Sequence, residues 1–204
     1  MRHLSLFVAL VIIFSCGQPE MKTYRADITS LNSSITGTNP SGTATLHIKG
    51  DSLTITVDVS ELPPDMMHLQ HYHGFLDGKD ATCASLVQDT NNDGIVDLIE
   101  TETVSGVTLV PFHDDPASLK IKHDTYPMAD AQGNLSYKKS LLLSDLKKNL
   151  QETHNIAEPM FGRRVVYIHG ISPADSLPES VQSLPDVPAH VTLPIACGEL
   201  QFVK

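Results

Sequence analysis

Two runs of strict alternation, Thr43-Ala44-Thr45-Leu46-His47-Ile48-Lys49 and Leu53-Thr54-Ile55-Thr56-Val57-Asp58-Val59, stand on either side of Gly50-Asp51. Apolar side chains at every second position place one hydrophobic face on each run, which is the period of a strand and not of a helix. Gly50-Asp51 supplies the turn, so the pair reads as a tight β-hairpin. Residues 24–31, 104–110, 136–143, 164–168 and 195–203 carry similar strand signals between turn-rich spacers. A chain so patterned is all-β, an antiparallel sandwich or barrel with long loops. The one helix the pattern predicts covers residues 144–152, with Ser144 as N-cap and Leu146 and Leu150 on one face. Pro173 to Pro188, with four prolines, reads as a long extended loop.

The N-terminus has the form of an export signal over residues 1–15: Arg2 is the positive end, residues 4–14 the apolar run, and Ile13-Phe14-Ser15-Cys16 a cleavage box. The apolar run is too short for a stable membrane-spanning helix. With Gly17 following, the box resembles that of bacterial lipoproteins, whose cysteine is acylated; the alternative is a plain signal peptide with an incidental cysteine. On the lipoprotein reading Cys16 is the lipid anchor, residues 16–23 form a tether, and one domain occupies residues 24–204 on a periplasmic or cell-surface membrane face. Residues 1–15 hold one basic and no acidic residue, which leaves 13 basic against 24 acidic residues and a formal charge of −11. Nucleic acid is excluded as a partner on that balance.

Cys83 and Cys197 are then the remaining thiols, an even pair in an exported domain. Either they are bridged, closing a loop for which chain entropy allows roughly 4 to 5 kcal/mol, or they are two buried thiols.

The segment from Asp89 to Glu100 meets the twelve-residue calcium-loop pattern of EF-hands. Asp89, Asn91, Asp93 and Asp97 offer side-chain oxygens, Ile95 its carbonyl, Gly94 the sharp turn and Glu100 two oxygens from the far end. Hard oxygen donors at this spacing suit calcium. No convincing amphipathic helix flanks the loop on both sides, so the expected role is structural, pinning a long insert to the barrel.

His71-Tyr72-His73 places two imidazoles one residue apart, and alternate residues of a strand face the same way, so both rings aim at one point. His113 follows in Pro111-Phe112-His113-Asp114-Asp115-Pro116, a polar turn after a strand, and His169 ends the apolar run 165–168. Rigid strands presenting ligands from separate parts of the chain are a common way to build a metal site.

Taken in order, these segments resemble the copper, zinc superoxide dismutase family. His68-Leu69-Gln70-His71-Tyr72-His73-Gly74-Phe75 resembles its first copper-ligand strand, and Ala81-Thr82-Cys83-Ala84 its half-disulfide loop. Residues 111–116 resemble the segment with the bridging histidine, and residues 129–136 the turn and strand after the zinc loop. Phe161 to Gly170 is similar to the strand that delivers the last copper ligand, and Ala196-Cys197-Gly198-Glu199-Leu200 to the terminal strand. The resemblance implies a Greek-key barrel of about eight antiparallel strands and a Cys83–Cys197 disulfide. It further implies copper on His71, His73, His113 and His169, with His113 also a proton shuttle, and superoxide as substrate. His68 matches a structural position, His47 reads as a surface residue, and His154 and His190 match no role.

Two departures stand out. Only His123 and Asp124 follow His113 as a remnant of a zinc site, so zinc is not expected. The position of the family's anion-guiding arginine is Pro194, and only Arg163 or Arg164, turned toward copper, could replace it. The sequence therefore leaves two expectations: superoxide dismutation through a histidine-held copper, or non-catalytic copper binding, storage or delivery on the same fold.

Overall fold

The computed structural model describes residues 20–122, 124–173 and 176–204. The segment read as an export signal, Cys16 and His123 lie outside them.

The expected hairpin forms from β2 (Ser41–Lys49) and β3 (Ser52–Ser60), paired from Ser41↔Ser60 to Lys49↔Ser52, with Gly50 at φ +59 in the left-handed region. Ala44, Leu46, Leu53, Ile55 and Val57 are fully buried, so the alternation converts directly into a core face. Each large aliphatic buried in this way contributes about 1.5–3 kcal/mol. β1 (Met21–Ser30) lies along β2 and begins three residues before the expected Tyr24, so residues 21–23 belong to the domain and not to a tether.

The remaining strands are β4 (Leu69–Gly74), β5 (Val107–Pro111), β6 (Leu135–Leu142), β7 (Val165–His169), β8 (Pro194–Glu199) and the two-residue β9 (Gln201–Phe202). Their spatial order is β5-β4-β7-β8-β1-β2-β3-β6, antiparallel at each step, with β9 also against β1. From β3 the chain crosses to β4, returns from β5 to β6 beside β3, and crosses again to β7. These are Greek-key crossings, and they curl eight strands into a half-barrel around one main core.

Among the described residues four short α-helices decorate this frame: α1 (Ser33–Thr36), α2 (Leu98–Ser105), α3 (Leu143–His154) and α4 (Ala189–Thr192). α2 takes up the start of the strand expected at 104–110. α3 is the expected loop helix, with Leu146 and Leu150 buried, but Ser144 is not its N-cap. Asp51 at the β2–β3 turn caps it instead: its carboxylate accepts from the Ser144 amide at 2.8 Å and its carbonyl from the Leu143 amide at 2.8 Å. No described helix is long and apolar enough to cross a membrane.

Cys83 and Cys197 form a disulfide with Cα atoms 5.8 Å apart. It ties the insert that follows β4 to β8, and Asn32 ties it a second time. The buried Asn32 amide donates to the carbonyls of Val96 (2.8 Å) and Pro194 (2.9 Å), and its oxygen accepts from the Val96 amide (2.8 Å). The two ties hold α2 over the end of the barrel where the histidines lie.

Candidate metal centre

β4 carries His71 and His73 on one face, as strand alternation requires. β7 pairs with it antiparallel, with Leu69↔His169, His71↔Tyr167 and His73↔Val165, so His169 joins the same face from the neighbouring strand. Both strands change register at a ligand, between Tyr72 and His73 against β5 and between Ile168 and His169 against β8. Such irregularities re-aim a side chain out of a regular ladder.

The result is a cluster in which His71, His73 and His169 each offer a ring nitrogen within 4.8 Å of the others. All three are buried. Both ring nitrogens of His71, Nδ1 of His73 and Nε2 of His169 have no hydrogen-bond partner, an arrangement that costs about 1–3 kcal/mol per orphaned group unless something else binds there. His169 Nδ1 donates to the Thr192 carbonyl at 2.8 Å, which leaves the Nε2 lone pair free and fixes the ring. His73 Nε2 lies 3.2 Å from the Thr108 hydroxyl. Tyr167 packs behind the cluster, its ring 5.1 Å from that of His73 and 5.8 Å from that of His169. Its hydroxyl is held by the Ala84 amide and by Ser105, beside the disulfide.

Burial, and then the neighbouring His169, His73 and His113, hold His71 well below the ordinary histidine value. Burial pushes His73 down to about 3, helped by His169 and opposed by the Gly106 backbone. Burial also takes His169 down to about 4, against the pull of its bond to Thr192. Three neutral imidazoles with unshared lone pairs facing one point are a fit donor set for a transition metal.

His113 is not part of the set. Its turn closes on itself: Nδ1 accepts from the Asp115 amide at 3.0 Å and Nε2 donates to the Lys120 carbonyl at 2.7 Å, so neither nitrogen is free. The ring of Tyr126 packs edge-on against both His71 and His113, with centroids 5.5 and 5.1 Å away. The structure thus places the expected fourth ligand outside the cluster, with both of its nitrogens hydrogen-bonded. His68 is structural as expected, buried between the carbonyls of Pro63 (2.9 Å) and His169 (3.0 Å). His47 is half-buried and bonds the Thr23 hydroxyl. Asp124 is exposed, and its expected partner His123 lies outside the described residues.

In the calcium-like loop, Asp97 caps α2 and shares a reciprocal capping box with Glu100. Glu100 also accepts from the Thr90 amide at 2.7 Å, and Asp89 from the Gly94 amide at 2.8 Å. Asp93 accepts from the Ile95 amide at 2.8 Å. The carboxylates serve the loop's own amides, and no three of them converge on one point as the histidines do.

A cleft of about 290 Å³ opens onto the three histidines. Its walls are apolar, with Leu98, Val107, Ile121, Leu184 and Val187 prominent, and among the described residues the one charged side chain lining it is Glu102. Pro194 lies at the start of β8, and neither candidate arginine replaces the missing cation. Arg163 bonds the Gly78 carbonyl and approaches Asp80, while buried Arg164 bonds the carbonyls of Pro159 and Phe75. Tyr126, Tyr167, Glu102 and this lining were not anticipated from the sequence. Only Tyr167, two residues from His169 on the same strand face, carried a local signal.

The described residues thus define an all-β Greek-key protein with a disulfide and a three-histidine site suited to a metal ion. No protein-family model matches the chain. No curated protein matches it either. Among solved structures, a copper/zinc superoxide dismutase from Brucella abortus is similar at 18% identity and a TM-score of 0.38, with 87% of this chain and 98% of that chain covered. At that level the likeness carries nothing for the site, whose reading rests on its own residues.

Proposed function

We propose that this protein binds one copper ion through His71, His73 and His169 and acts by holding and passing on the ion in an oxidising compartment. The observation that carries the reading is the convergence of three neutral imidazoles, each with an orphaned nitrogen, at the floor of an apolar cleft that no lysine or arginine among the described residues lines. Imidazole serves both oxidation states of copper, so the ion can be taken up or released in either. Among the described residues no lysine or arginine lines the way in for a small anion such as superoxide, and the chain's formal charge of −10 adds no attraction. The disulfide supports the compartment. In the same reading Cys16 carries the lipid that keeps the domain at a membrane face, and calcium on the loop from Asp89 to Glu100 pins the insert.

Dismutation is the second reading, favoured by the open path from solvent to the histidines. Copper would supply the one-electron chemistry, and the chain would supply access and three fixed ligands. Loading the purified chain with copper or zinc separates the cases. One copper per chain that displaces zinc, with superoxide consumption no faster than chelated copper, supports the binding protein. Turnover far above free copper supports the dismutase. Copper retained after His71→Ala and His169→Ala overturns both.

A further inference from the structure

Three of the chain's six methionines lie near the histidine cluster: Met66 and Met67 line one cavity, and Met128 is the strand partner of Met67. Met67 and Met128 are partners in an isolated antiparallel bridge. The flanking hydrogen bonds run from the Ala129 amide to the Met66 carbonyl (2.9 Å) and from the His68 amide to the Pro127 carbonyl (3.1 Å). That pattern makes Met67 and Met128 a non-hydrogen-bonded pair, whose side chains share a face at the closest cross-strand spacing. Met66 and Met67 line a second cavity, of about 310 Å³, which shares Leu69 and Val187 with the cleft over the histidines. Met66 also packs at Gly170, the residue after His169: its methyl lies 3.5 Å from the position a Cβ there would take.

Methionine usually fills irregular gaps in a core. Met128 fills none, being 63% exposed. What the three residues do share is a neutral, soft sulfur donor, which favours monovalent copper over copper(II), zinc or calcium. Asp186, the one charged residue lining the second cavity, favours a cation there.

We infer that Met66, Met67 and Met128 form a thioether capture site for monovalent copper, from which the ion passes to His71, His73 and His169. This rests on the copper reading above and adds the oxidation state that is received and the face by which it arrives. Thioethers hold the ion loosely at the surface, and the buried imidazoles, with unshared lone pairs, take it on.

Silver(I), a closed-shell monovalent stand-in, tests the site on the full folded chain labelled with ¹³C at the methionine methyls and ¹⁵N in the histidine rings. The methyl signals of Met66, Met67 and Met128 are expected to move with the first equivalent of silver(I), those of Met21 and Met160 to stay, and zinc(II) to move none. The volume-conserving Met66→Leu, Met67→Leu, Met128→Leu variant is expected to reach the same copper content at equilibrium. From a copper(I) donor complex, however, it should load about tenfold more slowly. Movement of the histidine signals alone, or loading of the triple variant at the original rate, overturns the capture site and leaves the histidine centre standing. Movement of the three methyls without the histidines supports the thioether site and refutes the histidine centre. Silence from both sets overturns both.

Discussion

Acid should unfold the metal-free protein early, because its metal ligands are buried as neutral groups. His73 and His169 are held at about 3 and about 4 in the folded chain. In the unfolded chain each returns to about 6.5. A depressed folded value means that the stability is intact above 6.5 and is lost as pH falls toward the folded values, since only the unfolded chain takes up protons in that window. Between pH 8 and pH 5 each of the two histidines removes about 2 kcal/mol, from roughly 1.5 pH units at about 1.4 kcal/mol per unit. His71, also lowered, acts in the same direction. The pair alone thus accounts for about 4 kcal/mol, a large part of a typical domain's 5–15 kcal/mol. Urea melts of metal-free protein at pH 8 and pH 5 measure the loss, and the pH slope counts the protons bound on unfolding. The His73→Gln, His169→Gln variant should lose the part of that slope that the pair supplies, about 4 kcal/mol across the interval, and keep the part from His71. Equal stability at the two pH values, or a slope untouched by the double substitution, would refute the reasoning.

Gly74 sits against the guanidinium of Arg164, where an added Cβ would stand 2.2 Å from Nη1 and 2.6 Å from Cδ. Gly74→Ala is therefore expected to displace a buried cation from its two carbonyl partners and cost about 3–6 kcal/mol, read as a lower urea midpoint. A midpoint unchanged within error would mean that Arg164 can relocate freely. Calcium added to chelator-treated protein should raise the melting temperature through the loop from Asp89 to Glu100, and Glu100→Gln should abolish the rise; an identical melt in chelator and in calcium removes the calcium proposal.

What the sequence revealed, and what it hid, follows the range of each interaction. The β2–β3 hairpin was legible because alternation is a property of neighbouring residues, and the same rule put His71 and His73 on one face. His169 was legible as the end of an apolar strand. Cys83 and Cys197 were an even pair in a chain whose N-terminus reads as an export signal. The cap of α3 was not legible, because Asp51 lies 93 residues from Ser144. The place of His113 outside the cluster was hidden for a similar reason: whether its nitrogens are free depends on how the following turn folds back to present the Lys120 carbonyl. The cleft lining was hidden too, since Leu98, Ile121 and Leu184 come from three separate segments and are ordinary residues in each.

The central claim is a copper centre of three histidines without His113. Copper content after equilibrium dialysis of His113→Gln and His169→Gln, each confirmed as folded, tests it most directly. One copper per chain in His113→Gln and none in His169→Gln is the expected result. Loss of copper from His113→Gln, or its retention by His169→Gln, would contradict the account.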